Sequence, residues 1–437
     1  MSRNVHYLFD ALVIGAGAGG VCAAARLAQA GYRTLLVEAL DQLGGHASTR
    51  EVDGFLLNTG AGVFERDGAV AQLFQDLGLG LDLWAPDPVA TLLWGREETP
   101  VLRGEGLARV MRVAVPGLVD LFCRLEPVLR PRPGQVTSDW LTRFTGSERV
   151  HNLVDNLCGA FFAASASELP ADIFLHCVMS GDAFTNIGYP AGGAVEVWKA
   201  LAGYIEAHGG AVWLGSLVRL LVFGADGLVA GAEVVRNGEP VQVSARVVIS
   251  NVGPHNTVRL AEPGRFAADY IQAVEDRADG GATITVHFAS PAPFVTWAGL
   301  AFAGSSRRLI HAANYSAPEQ GHILRQGRWH LYSGTAMPRP ACGPFDLELE
   351  KQLLIADLQD YFPGLDEAAM ILATDVAAHG WPAQRAVPGY DLPIQTPIAN
   401  LWNVGDGVKA WAEAGTSACA RTADLAAKAA VAFMLSR

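Results

Sequence analysis

The chain has 437 residues, a formal net charge of −12 and only 17% charged residues. That length predicts about two domains around a large core, and the acidic balance argues against a nucleic-acid partner, which would need a basic surface. The six cysteines are scattered without a C-x-x-C pair, which excludes a dithiol redox centre or a thiolate zinc site. We expect no metal centre, and a cytoplasmic location because the first nine residues contain no signal-peptide core.

A short apolar strand followed at once by a glycine turn opens the chain. Residues 11–14 are wholly apolar, as expected for a parallel strand buried on both faces. The next six residues fit G-x-G-x-x-G through Gly15, Gly17 and Gly20. The first glycine makes the turn, the second lets the backbone approach a pyrophosphate, and the third lets helix and strand pack closely.

The residues after this turn continue the same pattern. Residues 21–30 are Ala-rich and predict a helix that Gly31 ends. Residues 33–38 predict a second strand that ends in Glu38, where an acid can accept hydrogen bonds from ribose hydroxyls. The order predicts a dinucleotide site, and the acid argues against NADP.

A second glycine motif narrows the cofactor. Its parts are Leu43-Gly44-Gly45-His46, Asp53-Gly54-Phe55 and Leu57-Asn58-Thr59-Gly60. They resemble the phytoene desaturase-like branch of the flavin-dependent amine oxidase superfamily, in which this segment runs past the pyrophosphate and ribityl chain of FAD. The resemblance implies FAD as the cofactor. The family usually has Arg after the glycine pair, whereas this chain has His46.

The next stretch predicts helices beside the site. Residues 69–79 predict a helix and residues 92–94 a short strand. From 104 to 129 apolar residues recur at helical spacing, with arginines around them between 103 and 132. Such helices can lie on an anionic membrane, giving peripheral contact through residues 104–132, or form a solvated cap over the substrate site. Residues 138–185 also predict helices.

The middle of the chain predicts a β-meander. Residues 212–223, 228–235 and 241–243 are strand-like and are joined at Asp226-Gly227 and Asn237-Gly238, which are strong hairpin signals. Residues 247–251 then rejoin the main sheet. In the resembling family, the backbone at the position of Val218 contacts the adenine ring.

A second group of strands predicts a substrate domain. The strands expected are residues 283–288, 297–302, 329–333 and 370–377, with a helix over 346–361. Residues 283–306 carry no Asp, Glu, Lys or Arg, but two prolines and several hydroxyl residues favour strand, turn and strand over a membrane helix.

The end of the chain completes the resemblance. Residues 401–407 predict a strand that delivers Gly405 and Asp406, and Asp406 can accept hydrogen bonds from ribityl hydroxyls or orient water at the pyrophosphate. Residues 413–434 predict the last helix, which in the family points its N-terminus at the flavin ring. Residues 411–415 stand where carotenoid desaturases carry a Gly/Pro-rich run.

These motifs predict two sets of site residues. Those expected to bind FAD are Gly15, Gly17, Ala18, Gly20, Glu38, Ala39, Gly44, Gly45, His46, Gly60, Val218, Asn251, Gly405, Asp406 and Glu413. The catalytic candidates are His46, Trp381, Trp411 and Glu413. Glu413 is a base or an N-terminal helix charge, and the tryptophans wall the flavin or are buried structural residues. Three histidines of the substrate domain are satisfied polar groups or catalytic residues: His287, His311 and His379.

We therefore predict an α/β fold with a Rossmann-like FAD-binding domain, a parallel sheet with an inserted β-meander, and a discontinuous α+β substrate domain. The FAD-binding domain is expected over 1–85, 190–255 and 395–437. The substrate domain is expected over 86–189 and 256–394, with a helical cap near 104–185.

The predicted function is hydride transfer between flavin N5 and an apolar small molecule, by desaturation, oxidation or saturation. Oxygen, a quinone or another carrier would exchange electrons, since no second nucleotide fingerprint is present. Three alternatives remain: an amine oxidase, a redox-neutral isomerase or hydratase that uses reduced FAD, and a non-catalytic carrier like the Rab GDP dissociation inhibitors. The intact glycine motifs argue against the carrier.

Overall fold

A computed structural model describes residues 6–95, 97–103, 130–180, 185–276, 280–316, 328–378, 380–381 and 385–437. Its strands are β1 (His6–Leu8), β2 (Ala11–Ile14), β3 (Thr34–Val37), β4 (Thr49–Val52), β5 (Phe55–Asn58), β6 (Phe64–Glu65), β7 (Leu83–Trp84), β8 (Ala90–Trp94), β9 (Glu97–Val101), β10 (Ile187–Pro190), β11 (Ala211–Trp213), β12 (Ser216–Phe223), β13 (Val229–Arg236), β14 (Glu239–Ser244), β15 (Val247–Ser250), β16 (Thr283–Ser290), β17 (Gly299–Ala303), β18 (Leu309–Asn314), β19 (His330–Ala336), β20 (Met370–Ala377) and β21 (Leu401–Asn403). Its helices are α1 (Ala18–Gln29), α2 (Ala69–Asp76), α3 (Thr137–Thr142), α4 (Glu148–Phe162), α5 (Ala171–Ser180), α6 (Ala194–Ala207), α7 (Pro254–Arg259), α8 (Ala268–Glu275), α9 (Leu347–Tyr361), α10 (Leu365–Ala368) and α11 (Gly415–Leu435).

A five-stranded parallel sheet contains strands from the beginning, the middle and the end of the chain. Its order is β11-β3-β2-β15-β21, and every neighbouring pair is parallel. Strands β2, β3, β15 and β21 are buried along their whole length, as their apolar sequences predict. The Ala-rich helices α1 and α11 pack against each other beside this sheet. The Rossmann-like α/β fold is confirmed.

The predicted meander is present with two differences. Strands β12, β13 and β14 are antiparallel neighbours, and the short β1, which the sequence did not indicate, adds to β14 in parallel. The prediction of one strand over 212–223 is wrong. Gly215 adopts a left-handed φ of +55°, so the chain turns there: β11 joins the parallel sheet and β12 begins the meander.

A seven-stranded mixed sheet combines five strands of residues 283–377 with β8 and β9, in the order β20-β16-β19-β18-β17-β8-β9. Helix α9 packs on one face, and α4 packs against β17 and β18. Both β16 and β17 lie within the uncharged stretch 283–306, so the strand–turn–strand prediction is confirmed. Strand β18 was not predicted, and β8 pairs with β17 rather than with the parallel sheet.

Two smaller sheets connect these parts. Strands β4 and β5 form a hairpin directly after the second glycine motif, and β10 pairs with β6 and β7. Helices α3 to α5 correspond to the predicted helical stretch 138–185, with α3 beginning one residue earlier. The predicted amphipathic helices over 104–129 lie outside the described residues. Within the described ranges, no helix is long and apolar enough to cross a membrane.

Candidate functional site

The first glycine turn lies at the carboxyl end of β2. Gly17 is the N-cap of α1, which has no side-chain cap and no acidic residue in its first turn. A Cβ on Gly17 would come 2.7 Å from the side-chain amide of Asn251, and one on Gly20 would overlap the carbonyl oxygen of Gly15. The turn therefore requires glycine at position 20, whereas a Cβ at position 17 would displace only the Asn251 side chain. The amide groups of Ala18 and its neighbours at the start of α1 are positioned to bind an anion.

The second glycine motif lies directly against the first. The Gly44 N–H donates to the carbonyl oxygen of Ala16 at 2.8 Å, and a Cβ on Gly45 would be 3.3 Å from the Cα of Gly17. His46 follows and is half-buried, and its carbonyl oxygen accepts a hydrogen bond from the N–H of Ala61 at 3.1 Å, next to Gly60. Two motifs separated by about 25 residues thus form one continuous surface of backbone.

Glu38 defines one end of this surface. Its carboxylate accepts hydrogen bonds from the N–H groups of Ala16 at 2.6 Å and Leu40 at 2.9 Å. The exposed Ala39 lies between Glu38 and Leu40. The Glu38 carbonyl oxygen accepts a hydrogen bond from the N–H of Ser216 at 2.8 Å, which holds the start of β12, and with it the buried Val218, beside the same edge.

Asn251 joins the glycine turn to the end of the chain. It follows β15, and its side-chain oxygen accepts a hydrogen bond from the N–H of Gly17 at 3.2 Å when its amide is oriented to donate to Val404. Gly405 has a φ of +98°, and a Cβ there would lie 2.5 Å from the Asn251 side chain. The Gly405 N–H donates to Thr422 of α11 at 2.9 Å.

A buried lysine that the sequence analysis missed supports Asp406. The Lys409 ammonium lies 3.1 Å from the Asp406 carboxylate and 2.9 Å from that of Asp391. It also donates to the main-chain carbonyls of Asp406, at 2.7 Å, and Ala386, at 2.8 Å. A lysine within the apolar run Val408–Trp411 is a signal that could have found it, because such a residue is buried only with partners.

The electrostatics of this cluster follow from its burial. The Lys409 side chain is 1% exposed. Burial alone would lower its pKa, but Asp406 and Asp391 outweigh that effect and raise the pKa, so the ammonium stays charged. Burial raises the pKa of Asp391 to about 6, against the opposing attraction of Lys409. Two carboxylates therefore share one ammonium beside the Gly405-Asp406 turn.

The predicted catalytic residues Glu413, Trp381 and Trp411 lie in different surroundings. The Glu413 carboxylate lies 2.6 Å from the Arg421 Nε of α11. Because α11 begins at Gly415 with Ala414 as its N-cap, Glu413 lies outside the first helical turn. Trp381 is 60% exposed and Trp411 is 52% exposed, and the Trp411 ring lies 5.0 Å from that of His176. The expectation that these tryptophans are buried structural residues is wrong, since neither is enclosed by a core.

The three candidate histidines also differ in their surroundings. His287, on β16, is buried and lies 3.0 Å from the Asp375 carboxylate. His311 lies on β18, and burial lowers its pKa to about 4. His379 lies outside the described residues. Neither His287 nor His311 belongs to the glycine-lined surface.

The residues present fit a dinucleotide cofactor. The glycine positions form a cradle that Cβ atoms would fill, the N-terminus of α1 carries no side-chain cap, and an acid lies at the carboxyl end of β3. Glycine turns or acids follow β2, β3 and β21, whose carboxyl ends meet at one edge of the parallel sheet. That edge is where open α/β sheets bind nucleotides.

Comparison with known proteins agrees with this geometry. The sequence profile of the flavin containing amine oxidoreductase family matches residues 18–429. The all-trans-retinol 13,14-reductase of Macaca fascicularis is 27% identical over 300 residues, 58% of this chain and 49% of that protein. The chloroplastic protoporphyrinogen oxidase of Nicotiana tabacum is 31% identical over 168 residues, 37% of this chain and 30% of that protein. The matched parts are about half the length of these relatives or less.

A solved structure extends the likeness over nearly the whole fold. An oxidoreductase from Methanosarcina mazei superposes with a TM-score of 0.81 at 22% identity, covering 96% of this chain and 100% of that chain. The profile match over residues 18–429 confirms the superfamily inferred from the two glycine motifs, and the superposition confirms the fold. The chain belongs to the flavin-containing amine oxidoreductase family, and this membership makes FAD its cofactor.

Proposed function

We propose that this protein transfers a hydride between flavin N5 and an apolar small molecule, in a desaturation, an oxidation or a saturation. The observation that carries the proposal is the meeting of the two glycine motifs, Asn251 and Gly405-Asp406 at one edge of the parallel sheet. When bound, FAD supplies the hydride chemistry, and the protein supplies orientation and electrostatics.

The adenosine and pyrophosphate half of FAD would occupy the first glycine turn. Amide groups at the start of α1 face its charge, and Gly17 lets the backbone approach it. Glu38 would accept hydrogen bonds from the ribose hydroxyls, and the backbone at Val218 would lie against the adenine. Ala39, beside Glu38, would border the bound adenosine.

The ribityl and flavin half would follow the second motif towards α11. Gly44, Gly45, His46 and Gly60 would line the ribityl path, and Asp406, held by Lys409, would accept hydrogen bonds from its hydroxyls. The N-terminus of α11 has no side-chain cap and no acid in its first turn, so its dipole can stabilise negative charge on the reduced ring. Glu413, Trp381 and Trp411 remain candidates for contacts near the ring.

An apolar substrate is favoured by what surrounds the cofactor half. A cluster of buried apolar and aromatic side chains joins hairpin β4–β5 to α4 and the seven-stranded sheet, including Phe55, Phe161 and Phe302. Such a substrate needs orientation and exclusion of water more than acid or base assistance. By their names, two relatives act on all-trans-retinol and on protoporphyrinogen.

The proposal extends to partners and location. Oxygen, a quinone or another carrier would exchange electrons with the flavin, because the sequence holds one dinucleotide fingerprint. A substrate of this kind partitions into lipid, so we propose a cytoplasmic protein that contacts membranes peripherally through residues 104–132.

Mass spectrometry of the small molecules released on denaturation tests the proposal first. FAD, with or without a trapped apolar molecule, is the expected result, and lipid without flavin would instead indicate a carrier. Anaerobic mixing of the holoprotein with isoprenoid alkenes and alcohols should then change the flavin absorbance. Reduction by primary amines alone, with peroxide formed on admitting air, would replace the proposal by an amine oxidase.

A further inference from the structure

A row of polar side chains crosses four strands of the seven-stranded sheet. In the strand register, Thr335 of β19 lies opposite both His311 of β18 and Thr285 of β16, and Thr285 lies opposite Asp375 of β20. Directly opposed residues project from the same face of a sheet. Two residues along, His287 and Ser333 form a second polar pair on that face. We call these six residues the polar strip.

The polar strip faces the cofactor half of the molecule. Gly334 lies between Ser333 and Thr335 and points the other way, where a Cβ would meet Leu358 of α9 at 2.5 Å. On the strip side, Arg50 of the β4–β5 hairpin donates to Asp375 at 2.8 Å. That hairpin follows the second glycine motif directly. The face of the sheet that carries the strip is therefore turned towards the chain segment that follows this motif.

The hydrogen bonds within the strip leave some of its donor and acceptor atoms without a partner in the described part of the chain. The Thr285 and Thr335 hydroxyls bond each other at 3.0 Å, which consumes one of their two O–H donors. His287 bonds Asp375 through Nε2, whereas the Nδ1 atoms of His287 and His311 are buried and find no hydrogen-bond partner among the described residues. Buried polar atoms without partners are uncommon, and a ligand group or an ordered water is their usual complement.

The charges of the strip are already balanced. Burial alone would raise the pKa of Asp375, but hydrogen bonds from His287 and Arg50 hold it below its usual value, so the carboxylate is ionised. Arg50 supplies its counter-charge at 2.8 Å. His311 is neutral at pH 7 because burial lowers its pKa to about 4. A substrate carboxylate or ammonium would therefore find no unpaired partner in the strip, whereas an uncharged oxygen would find both donor and acceptor.

We propose that the polar strip binds an uncharged oxygen group, a hydroxyl or a carbonyl, at one end of an otherwise apolar substrate. This inference rests on the proposed function and makes it narrower: the substrate is an amphipathic alcohol or carbonyl compound rather than a pure hydrocarbon, an amine or an acid. The surrounding face is apolar, with Phe302 opposite His311 and Leu300 opposite Ala313, so the strip would fix the orientation of the apolar chain against the flavin.

The test measures binding of four probes of one skeleton to the FAD-loaded protein, through the perturbation of flavin absorbance. The probes are farnesol, the hydrocarbon in which hydrogen replaces its hydroxyl, farnesylamine and farnesoic acid. We expect farnesol to bind about tenfold tighter than each of the others. The double variant T285V/T335V keeps side-chain volume but removes both hydroxyls, and it should lower farnesol affinity about tenfold and leave hydrocarbon affinity unchanged.

A matched control lies on the same sheet. Thr374 is opposite Val286 in the strand register, and Val286 packs in the core under α9, so Thr374→Val changes the other face. This control should keep the preference for farnesol. Equal binding of farnesol and hydrocarbon by the unaltered protein, or an unchanged preference in the double variant, would overturn the inference.

Failure of the proposed function looks different in the same experiment. A protein that contains FAD and binds all four probes equally refutes the strip and leaves the hydride-transfer proposal standing. A purified protein without FAD refutes the proposed function itself. Tighter binding of the amine or the acid also contradicts the strip, because either result requires a charge there that the structure has already paired.

Discussion

Replacing Lys409 by methionine removes the buried cation that lies 2.9 Å from the Asp391 carboxylate and 3.1 Å from that of Asp406. Methionine fills a similar volume without charge, so the change isolates the electrostatic contribution. Breaking a buried ion pair by removing one partner typically costs about 3–5 kcal/mol, because it leaves an uncompensated charge. We expect a loss of that size in the free energy of unfolding at pH 8, and an FAD affinity about tenfold lower because Asp406 loses its anchor.

The loss should depend on pH in a definite direction. The pKa of Asp391 in the folded protein is about 6, above the value near 4 of an unfolded chain. The folded state therefore binds this proton more tightly, and burial of Asp391 destabilises the protein fully above pH 6 and less as pH falls towards 4. Without Lys409 the carboxyl is still harder to ionise, so the variant should recover much of its stability by pH 5.

Urea unfolding at pH 8 and pH 5, with FAD affinity followed by flavin fluorescence, measures both effects. Lys428 is the matched control: it pairs with Asp424 on α11 but is 73% exposed, so Lys428→Met should change stability by less than about 1 kcal/mol. Adding Asp391→Asn to the Lys409 variant should restore stability at pH 8. A pH-independent loss, or no effect of the second substitution, would refute the role of the shared ammonium.

Three further substitutions probe the site and its scaffold. Gly17→Ala should preserve the fold, because φ at Gly17 is −69°, but it should lower FAD affinity at least tenfold, and undiminished FAD content after gel filtration would contradict the cradle. Glu38→Gln replaces one of the two carboxylate oxygens that accept hydrogen bonds from Ala16 and Leu40. Equilibrium dialysis should show FAD binding weakened about tenfold. Unchanged FAD binding would mean that Glu38 is not involved. Asp357 is buried and accepts hydrogen bonds from three consecutive N–H groups in residues 307–309; Asp357→Ala should lower stability by about 3 kcal/mol in a thermal melt, while the FAD content of the folded fraction stays unchanged.

The meeting of the glycine motifs could be predicted because their signals are local. Gly17, Glu38 and Gly405 each follow a buried apolar strand within a few residues, and the structure brings all three to one edge of the parallel sheet. The burial of Lys409 was missed because one of its two carboxylate partners, Asp391, lies 18 positions earlier in mostly irregular chain. Pairing at that separation leaves no periodic pattern to detect.

The predicted boundaries of secondary-structure elements were wrong where pairing with distant strands decides them. The run 212–223 shows continuous strand propensity, yet the left-handed turn at Gly215 sends its two halves into different sheets. Strand β1 has three residues and is strand only because β14 offers it an edge. Trp381 and Trp411 are exposed, and composition alone does not report whether a tryptophan is buried.

Prediction of the substrate is harder than prediction of FAD for a physical reason that the polar strip illustrates. Alternation along β16 indicates that Thr285 and His287 share a face, but it does not indicate which residues of β18, β19 and β20 lie opposite them. Register depends on the whole sheet, and a slip of one residue would exchange every side chain between the faces. The proposed FAD site is formed by backbone geometry at strand ends, whereas the proposed substrate site is assembled from side chains between Thr285 and Asp375 that meet only after folding. A family that keeps the backbone geometry at the strand ends and varies the side chains of the substrate site can retain one cofactor while its members act on different substrates.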